Sequence, residues 1–222
     1  MAKIALIGAH GKVGQLAIPE LVDRGHEVSG IIRSEDQSES IEKLGATPLV
    51  LDVAGASFER MVEAFRGHDA VVWSAGAGGK GGAETTYAVD RDAAIRSMDA
   101  AKGAGVGRYV MVSFIGAVPN HGVPETDSFY PYTDAKVTAD LHLRDSELDW
   151  TILGPGALTE DEATGQIAVY GEDSQLPGND EMGTSRGNVA LTIAEALASP
   201  ASVGQFIRYT DGGTPIGAAL SH

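Results

Sequence analysis

The chain has 222 residues, 43% of them hydrophobic, enough for the core of one large α/β domain. It contains no cysteine, which excludes disulfides and thiol catalysis, and no apolar run approaches the ~20 residues of a membrane span. With 31 acidic against 16 basic residues the formal net charge is -15, a balance that repels nucleic acid and anionic membranes and leaves any phosphate to be held by local devices.

The first apolar run, 3–7, predicts a strand and begins too close to Met1 for a signal peptide; the expected location is the cytoplasm. Gly8-Ala9-His10-Gly11-Lys12-Val13-Gly14 follows, and a helical pattern over 13–24 comes next. Strand, glycine turn and helix in that order is the context of a dinucleotide-binding loop. One glycine permits the tight turn, one lets the backbone approach a pyrophosphate, and one allows close helix–sheet packing. Gly8, His10, Gly11, Lys12, Val13 and Gly14 are therefore candidate cofactor residues.

Apolar runs over 26–32, 47–51, 70–74, 108–113, 150–153 and 205–209 predict six further strands. Helical patterns over 38–44, 57–65, 84–104, 132–146 and 185–198 lie between them. The alternation predicts a doubly wound, mostly parallel sheet with helices on both faces, in a single domain over 1–222. Glycine- and proline-rich segments follow the fourth and fifth strands, and an irregular segment follows the sixth. Those at 115–131 and 154–183 are read as substrate-side segments, because ligands in open α/β sheets bind at the C-terminal strand ends.

Several strand ends carry chemistry. Arg33 follows the second strand, where an acidic residue selects the ribose 2′-hydroxyl of NAD; an Arg suits a 2′-phosphate, with a solvated strand-end Arg as the alternative. Asp52 and Val53 follow the third strand beside the expected adenine, and Asp52 reads equally as a turn cap. Ser74-Ala75-Gly76 ends the fourth with small residues that let a ribose lie against backbone. Gly79-Lys80-Gly81 lacks the hydroxyl and spacing of a nucleotide-phosphate loop. Tyr132 and Lys136, four apart, share one helix face. An ammonium there is expected to lower the tyrosine pKa, so that the phenol exchanges a proton as hydride moves. The six histidines show no metal-ligand spacing, so no metal is expected; His121 reads as a solvated loop histidine, with substrate contact as the alternative. Glu160-Asp161-Glu162 reads as a solvated acidic patch, and Trp73 and Trp150 as core residues.

Taken together, the glycine run, Arg33, Asp52-Val53, Ser74-Ala75-Gly76, Val112-Ser113 and Tyr132-x-x-x-Lys136 resemble the short-chain dehydrogenase/reductase superfamily. The resemblance is nearest to its compact atypical members, described as NAD(P)-binding or epimerase/dehydratase-like. Tyr87-Ala88-Val89-Asp90 and the stretches 100–113, 149–156 and 184–190 extend it over essentially the whole chain. It implies a Rossmann fold, NAD(P) binding and redox chemistry carried by Tyr132, Lys136 and Ser113, with Lys136 also holding a cofactor ribose. Two departures stand out. Relatives often end the fifth strand in Ser-Ser, the second serine assisting the tyrosine; here Ser113 is followed by Phe114. Relatives often carry Arg-Pro near the sixth strand, where this chain has Gly154-Pro155.

The resulting expectation is an oxidoreductase that prefers NADP over NAD and acts on a small or flat carbonyl- or quinone-type molecule. A dinucleotide-sensing regulator and a nucleotide-sugar epimerase or dehydratase are the alternatives. Neither nucleic acid nor a membrane is expected as a partner, and the sequence says nothing of oligomeric state.

Overall fold

The computed structural model describes residues 1–78, 81–171 and 174–221. Gly79, Lys80 and His222 lie outside the described residues. The chain runs β1 (Lys3–Ile7), α1 (Lys12–Asp23), β2 (Glu27–Ile32), α2 (Ser38–Glu42), β3 (Thr47–Val50), α3 (Phe58–Phe65) and β4 (Ala70–Trp73). It continues through α4 (Gly82–Thr86), a π-helical segment (Tyr87–Ala93), α5 (Ala94–Gly103), β5 (Arg108–Val112), α6 (Tyr130–Arg144) and β6 (Asp149–Pro155). The last part holds β7 (Ala157–Thr159), β8 (Gln166–Tyr170), β9 (Gly183–Ser185), α7 (Arg186–Ala198), β10 (Gln205–Asp211), β11 (Thr214–Pro215) and α8 (Ile216–Ala219).

Nine strands form one sheet in the order β3-β2-β1-β4-β5-β6-β10-β8-β11. From β3 to β10 every neighbouring pair is parallel; β8 runs antiparallel to β10 and to β11. This is the expected doubly wound fold. Its topological switch lies between β1 and β4, where the chain leaves β1 toward β2 on one side and returns through β4 on the other.

Strand alternation explains the two layers. In β1, Ile4 and Leu6 face one core, packed on Ala17, Ile18 and Leu21 of α1 and Val189 and Ile193 of α7. Ala5 and Ile7 face the other, with Met61 and Phe65 of α3, Met98 of α5 and Leu143 of α6. A strand buried on both faces reads as a continuous apolar run, which is why these strands were visible in sequence. Trp73 is fully buried, whereas Trp150 is only partly so.

Three differences from expectation have physical causes. The helix expected over 84–104 is α4, a π-helical turn and α5 in succession. Helix α6 begins at Tyr130, two residues early, because Pro131 fits a first turn, where its missing N–H has no acceptor to lose. The irregular segment expected over 154–183 instead carries the end of β6, all of β7 and β8, and the first residue of β9. These strands pair with partners far along the chain, so local periodicity could not reveal them.

Candidate active site

The glycine run crosses the switch point as a tight cradle. Gly8 has φ +81, and a Cβ there would lie 2.6 Å from the Ser74 carbonyl oxygen at the end of β4. A Cβ on Gly14 would lie 2.4 Å from the Gly8 oxygen. Gly11 N donates to Gly8 O at 2.9 Å, closing the turn, and Ala9 N reaches Ile31 O of β2 at 3.3 Å. Gly11 is exposed and caps α1, whose first N–H groups have no acceptor within the helix. Val13 lies buried beneath the loop, while His10 and Lys12 are exposed on it. Side-chain-free backbone at a helix N-terminus suits a pyrophosphate, so these residues fit a dinucleotide.

The remaining strand ends lie on the same edge. Arg33 is exposed immediately after β2, and its backbone N–H donates to Gln37 Oε1 at 3.2 Å. Asp52 accepts from Ala54 N at 3.2 Å and so caps its own turn. Val53 is partly buried, and its carbonyl oxygen accepts from Arg96 Nη2 at 3.0 Å. Ser74 and Ala75 are half-buried and Gly76 is exposed.

Helix α6 places Tyr132 and Lys136 beside the end of β5. Lys136 is 3% exposed, donates to Val112 O at 3.2 Å, and pairs with Asp90 Oδ1 at 3.2 Å. Its Nζ lies 5.9 Å from the centre of the Tyr132 ring. Burial pulls the lysine pKa down, but Asp90, then Tyr132 and Asp140, outweigh it and hold the pKa above its usual value. The expected lowering of the Tyr132 pKa is corrected here. Burial raises it, Lys136 opposes, and Asp90 and Asp140 add to the rise, so the resting group is a phenol.

Ser113, which the resemblance places in the redox chemistry, turns its hydroxyl to another partner. Its hydroxyl donates to Asp140 Oδ2 at 2.5 Å, a buried pair between β5 and α6. Burial pushes the Asp140 carboxyl up to about 7, against the Ser113 hydrogen bond and the charges of Lys136 and Arg144. Phe114 instead joins Tyr132 and Phe129 in an aromatic triangle, with ring centres 5.2 to 5.9 Å apart. His121 accepts from Val123 N at 3.0 Å, and its ring lies 5.8 Å from that of Tyr130.

Three residues of this edge make contacts not anticipated from sequence. Asp90 partners Lys136 from the π-helical segment. Arg208 of β10, 3% exposed, donates to Ile115 O at 2.8 Å and Gly171 O at 2.9 Å, anchoring the segment after β5. Glu160, read as solvated, follows β7 and binds Lys12 at the start of α1. It also accepts from Arg186 Nη1, the first residue of α7, at 2.9 Å. None of these contacts is local, and that is why spacing gave no signal. Among the described residues, no group of three or more histidines or carboxylates could hold a metal. None of the described helices is long and apolar enough to cross a membrane.

Fold, glycine cradle and the Tyr–Lys helix define a Rossmann-type dinucleotide-binding protein of the atypical short-chain dehydrogenase/reductase class. The chain belongs to the NAD(P)H-binding family whose model matches residues 8–200. It is 34% identical over 220 residues to an uncharacterized sugar epimerase of Bacillus subtilis, covering 98% of each chain. A structure from Bacillus halodurans, provisionally described as an NAD-dependent epimerase/dehydratase, superposes with TM-score 0.90 at 32% identity over 99% of both chains. An oxidoreductase from Lactococcus lactis superposes with TM-score 0.84 at 32% identity, covering 98% of this chain and 94% of the other.

Proposed function

We propose that the protein is an NADP(H)-preferring oxidoreductase acting on a small or flat carbonyl- or quinone-type molecule. The observation that carries this reading is the buried, charged Lys136 one turn from Tyr132 at the end of β5, on the edge that holds the glycine cradle. The bound nicotinamide would supply or accept the hydride. The glycine cradle would hold the pyrophosphate, Arg33 the 2′-phosphate, and Lys136 a ribose hydroxyl. In the reducing direction, Tyr132 as a phenol would give its proton to the acceptor oxygen while that oxygen gains the electron pair of the C=O bond.

The aromatic triangle supports a flat acceptor, since ring faces reward planar contact. Phe114 stands where relatives carry the assisting serine, and Ser113 spends its own hydroxyl on Asp140, so neither position offers the second donor that relatives aim at the developing oxyanion. An acceptor that spreads its charge over a conjugated system needs that donor least. The same Ser113–Asp140 bond favours the second reading, a dinucleotide-sensing regulator without turnover. The sugar-epimerase name of the Bacillus subtilis relative supplies a third.

The test is to screen quinones and carbonyls for NADPH oxidation, alongside fluorescence titrations with NADPH and NADH. Turnover of a planar acceptor with tighter NADPH binding is the expected result. NADPH binding without any turnover favours the sensor, and hydride retained during sugar isomerisation favours the epimerase.

A further inference from the structure

One buried charge at the candidate site has no place in the chemistry above. Asp90 is 1% exposed and lies in a π-helical segment of seven residues, Tyr87–Ala93. Such segments are rare, and they recur where a side chain must be turned toward a functional site. Asp90 Oδ2 accepts from Ala77 N at 2.9 Å. Its Oδ1 lies 3.2 Å from Lys136 Nζ. A Cβ on Gly76 would lie 3.0 Å from that same oxygen, so the backbone after β4 is pressed directly onto the carboxylate. One side chain thus joins the Ser74–Ala77 loop, the π-helical segment and α6.

We propose that Asp90 is the positioning residue of this site, holding Lys136 in an ion pair while fixing the loop read as the support of a cofactor ribose. This rests on the functional reading above. A carboxylate in contact with both a catalytic ammonium and a cofactor loop couples the two, so neither can move without disturbing the other. The groups facing Lys136 are Asp90 from the π-helical segment, Tyr132 and Asp140 from its own helix, and the Val112 carbonyl from β5. Among them only Asp90 pairs with the ammonium at ion-pair distance among the described residues. Without a close counter-charge, a buried ammonium sheds its proton or seeks water.

The experiment compares wild type, Asp90→Asn, Asp90→Glu, Lys136→Met and the double variant Asp90→Asn/Lys136→Met. Folding is followed by circular dichroism, and NADPH affinity by fluorescence titration between about pH 6 and pH 10. Asp90→Asn is expected to weaken NADPH binding by about 10-fold or more. Its affinity should fall with rising pH well before that of wild type, as Lys136 deprotonates, and Asp90→Glu should recover part of the loss. Asparagine keeps an acceptor for Ala77 N, so within the Lys136→Met background, where the ion pair is already gone, Asp90→Asn should change affinity by less than about 2-fold; this comparison stands even if the single asparagine variant fails to fold. A folded Asp90→Asn with wild-type affinity and pH profile overturns the proposal, as does a further large loss in the double variant. Wild type that binds neither NADPH nor NADH overturns the functional reading itself, and the cofactor role of Asp90 falls with it.

Discussion

Ser113 donates its hydroxyl to the Asp140 carboxylate at 2.5 Å, between β5 and α6, and both side chains are buried. A serine in this stretch of the resembled superfamily serves the substrate; here Ser113 serves a carboxyl inside the protein. With Phe114 next in the chain, the substrate side of β5 presents a ring in place of a second hydroxyl.

The Asp140 carboxyl, raised by burial to about 7, makes stability depend on pH. Between about pH 4 and 7 the folded state keeps a proton that the unfolded chain has released, so stability falls as pH rises through that window and levels off above it. A shift of about 3 units is worth on the order of 4 kcal/mol. Asp140→Asn removes the titration and keeps an acceptor for Ser113. Its unfolding free energy from urea titration should therefore gain on wild type between about pH 5 and pH 8. An unchanged difference between the two proteins at both pH values would show that Asp140 does not titrate there.

Tyr132→Phe should lower turnover about 100-fold while leaving NADPH affinity within about 2-fold, since only the proton donor is lost. Burial raises the Tyr132 pKa, with Lys136 opposing, so the phenol keeps its proton through neutral pH and beyond the ordinary tyrosine range. The wild-type rate of reduction should consequently show no loss from this group below about pH 10. Wild-type turnover in the phenylalanine variant would remove Tyr132 from the mechanism.

These residues also mark what the sequence could and could not reveal. The glycine run and the Tyr132–Lys136 pair are local patterns, each set by a few neighbouring residues, and the structure brings both to one sheet edge. The central strands were legible because burial on both faces makes them continuous apolar runs. The contact of Asp90 with Lys136 was hidden by the π-helical segment, which a helical pattern over 84–104 does not reveal. The Ser113–Asp140 pair spans 27 residues, and the contact between Lys12 and Glu160 spans 148. Strands of two to five residues, such as β8 and β11, exist only through partners that local spacing cannot name.

Arg33 stands alone among the candidates in choosing between cofactors. Arg33→Ser should weaken NADPH binding by about 10- to 100-fold, the range for loss of a charge-assisted contact, and leave NADH binding unchanged. Parallel titrations with the two dinucleotides give the ratio directly. An equal loss for both would assign Arg33 to the fold or to the pyrophosphate rather than to the 2′-phosphate.

Two glycines separate backbone strain from crowding. Gly25 has φ +82 with open space around its missing Cβ, so Gly25→Ala should cost about 1 kcal/mol and leave the cofactor untouched. Gly14 lies in the cradle, where a Cβ would meet the Gly8 oxygen at 2.4 Å and the Ala9 oxygen at 2.8 Å. Neither is the yielding end of a side chain. Gly14→Ala should cost about 1 to 3 kcal/mol and reduce NADPH affinity by more than about 10-fold, because relief requires moving the loop itself. Thermal unfolding and titration of both variants check the contrast, and equal effects on binding would refute it.

Glu160 holds two cations that an incoming anion would seek. It binds Lys12, on the glycine loop, and Arg186 Nη1 at 2.9 Å, linking the N-terminal ends of α1 and α7. The Lys12 contact, with a further contribution from Arg186, keeps its pKa below the usual carboxylate range. The group is therefore ionised at neutral pH, and the clasp loosens only as pH falls through that lowered value. Pyrophosphate and Glu160 compete for the same ammonium, so Glu160→Gln should tighten NADPH binding. The gain should be modest, about 2- to 5-fold, because Lys12 and Glu160 are both well exposed and water already weakens their attraction. It should shrink further as salt rises, since the Debye length is only about 8 Å at physiological ionic strength. Titrating both proteins with NADPH at low and high salt tests this. Weaker binding by the glutamine variant would mean that the clasp supports the cofactor site instead of competing with the cofactor.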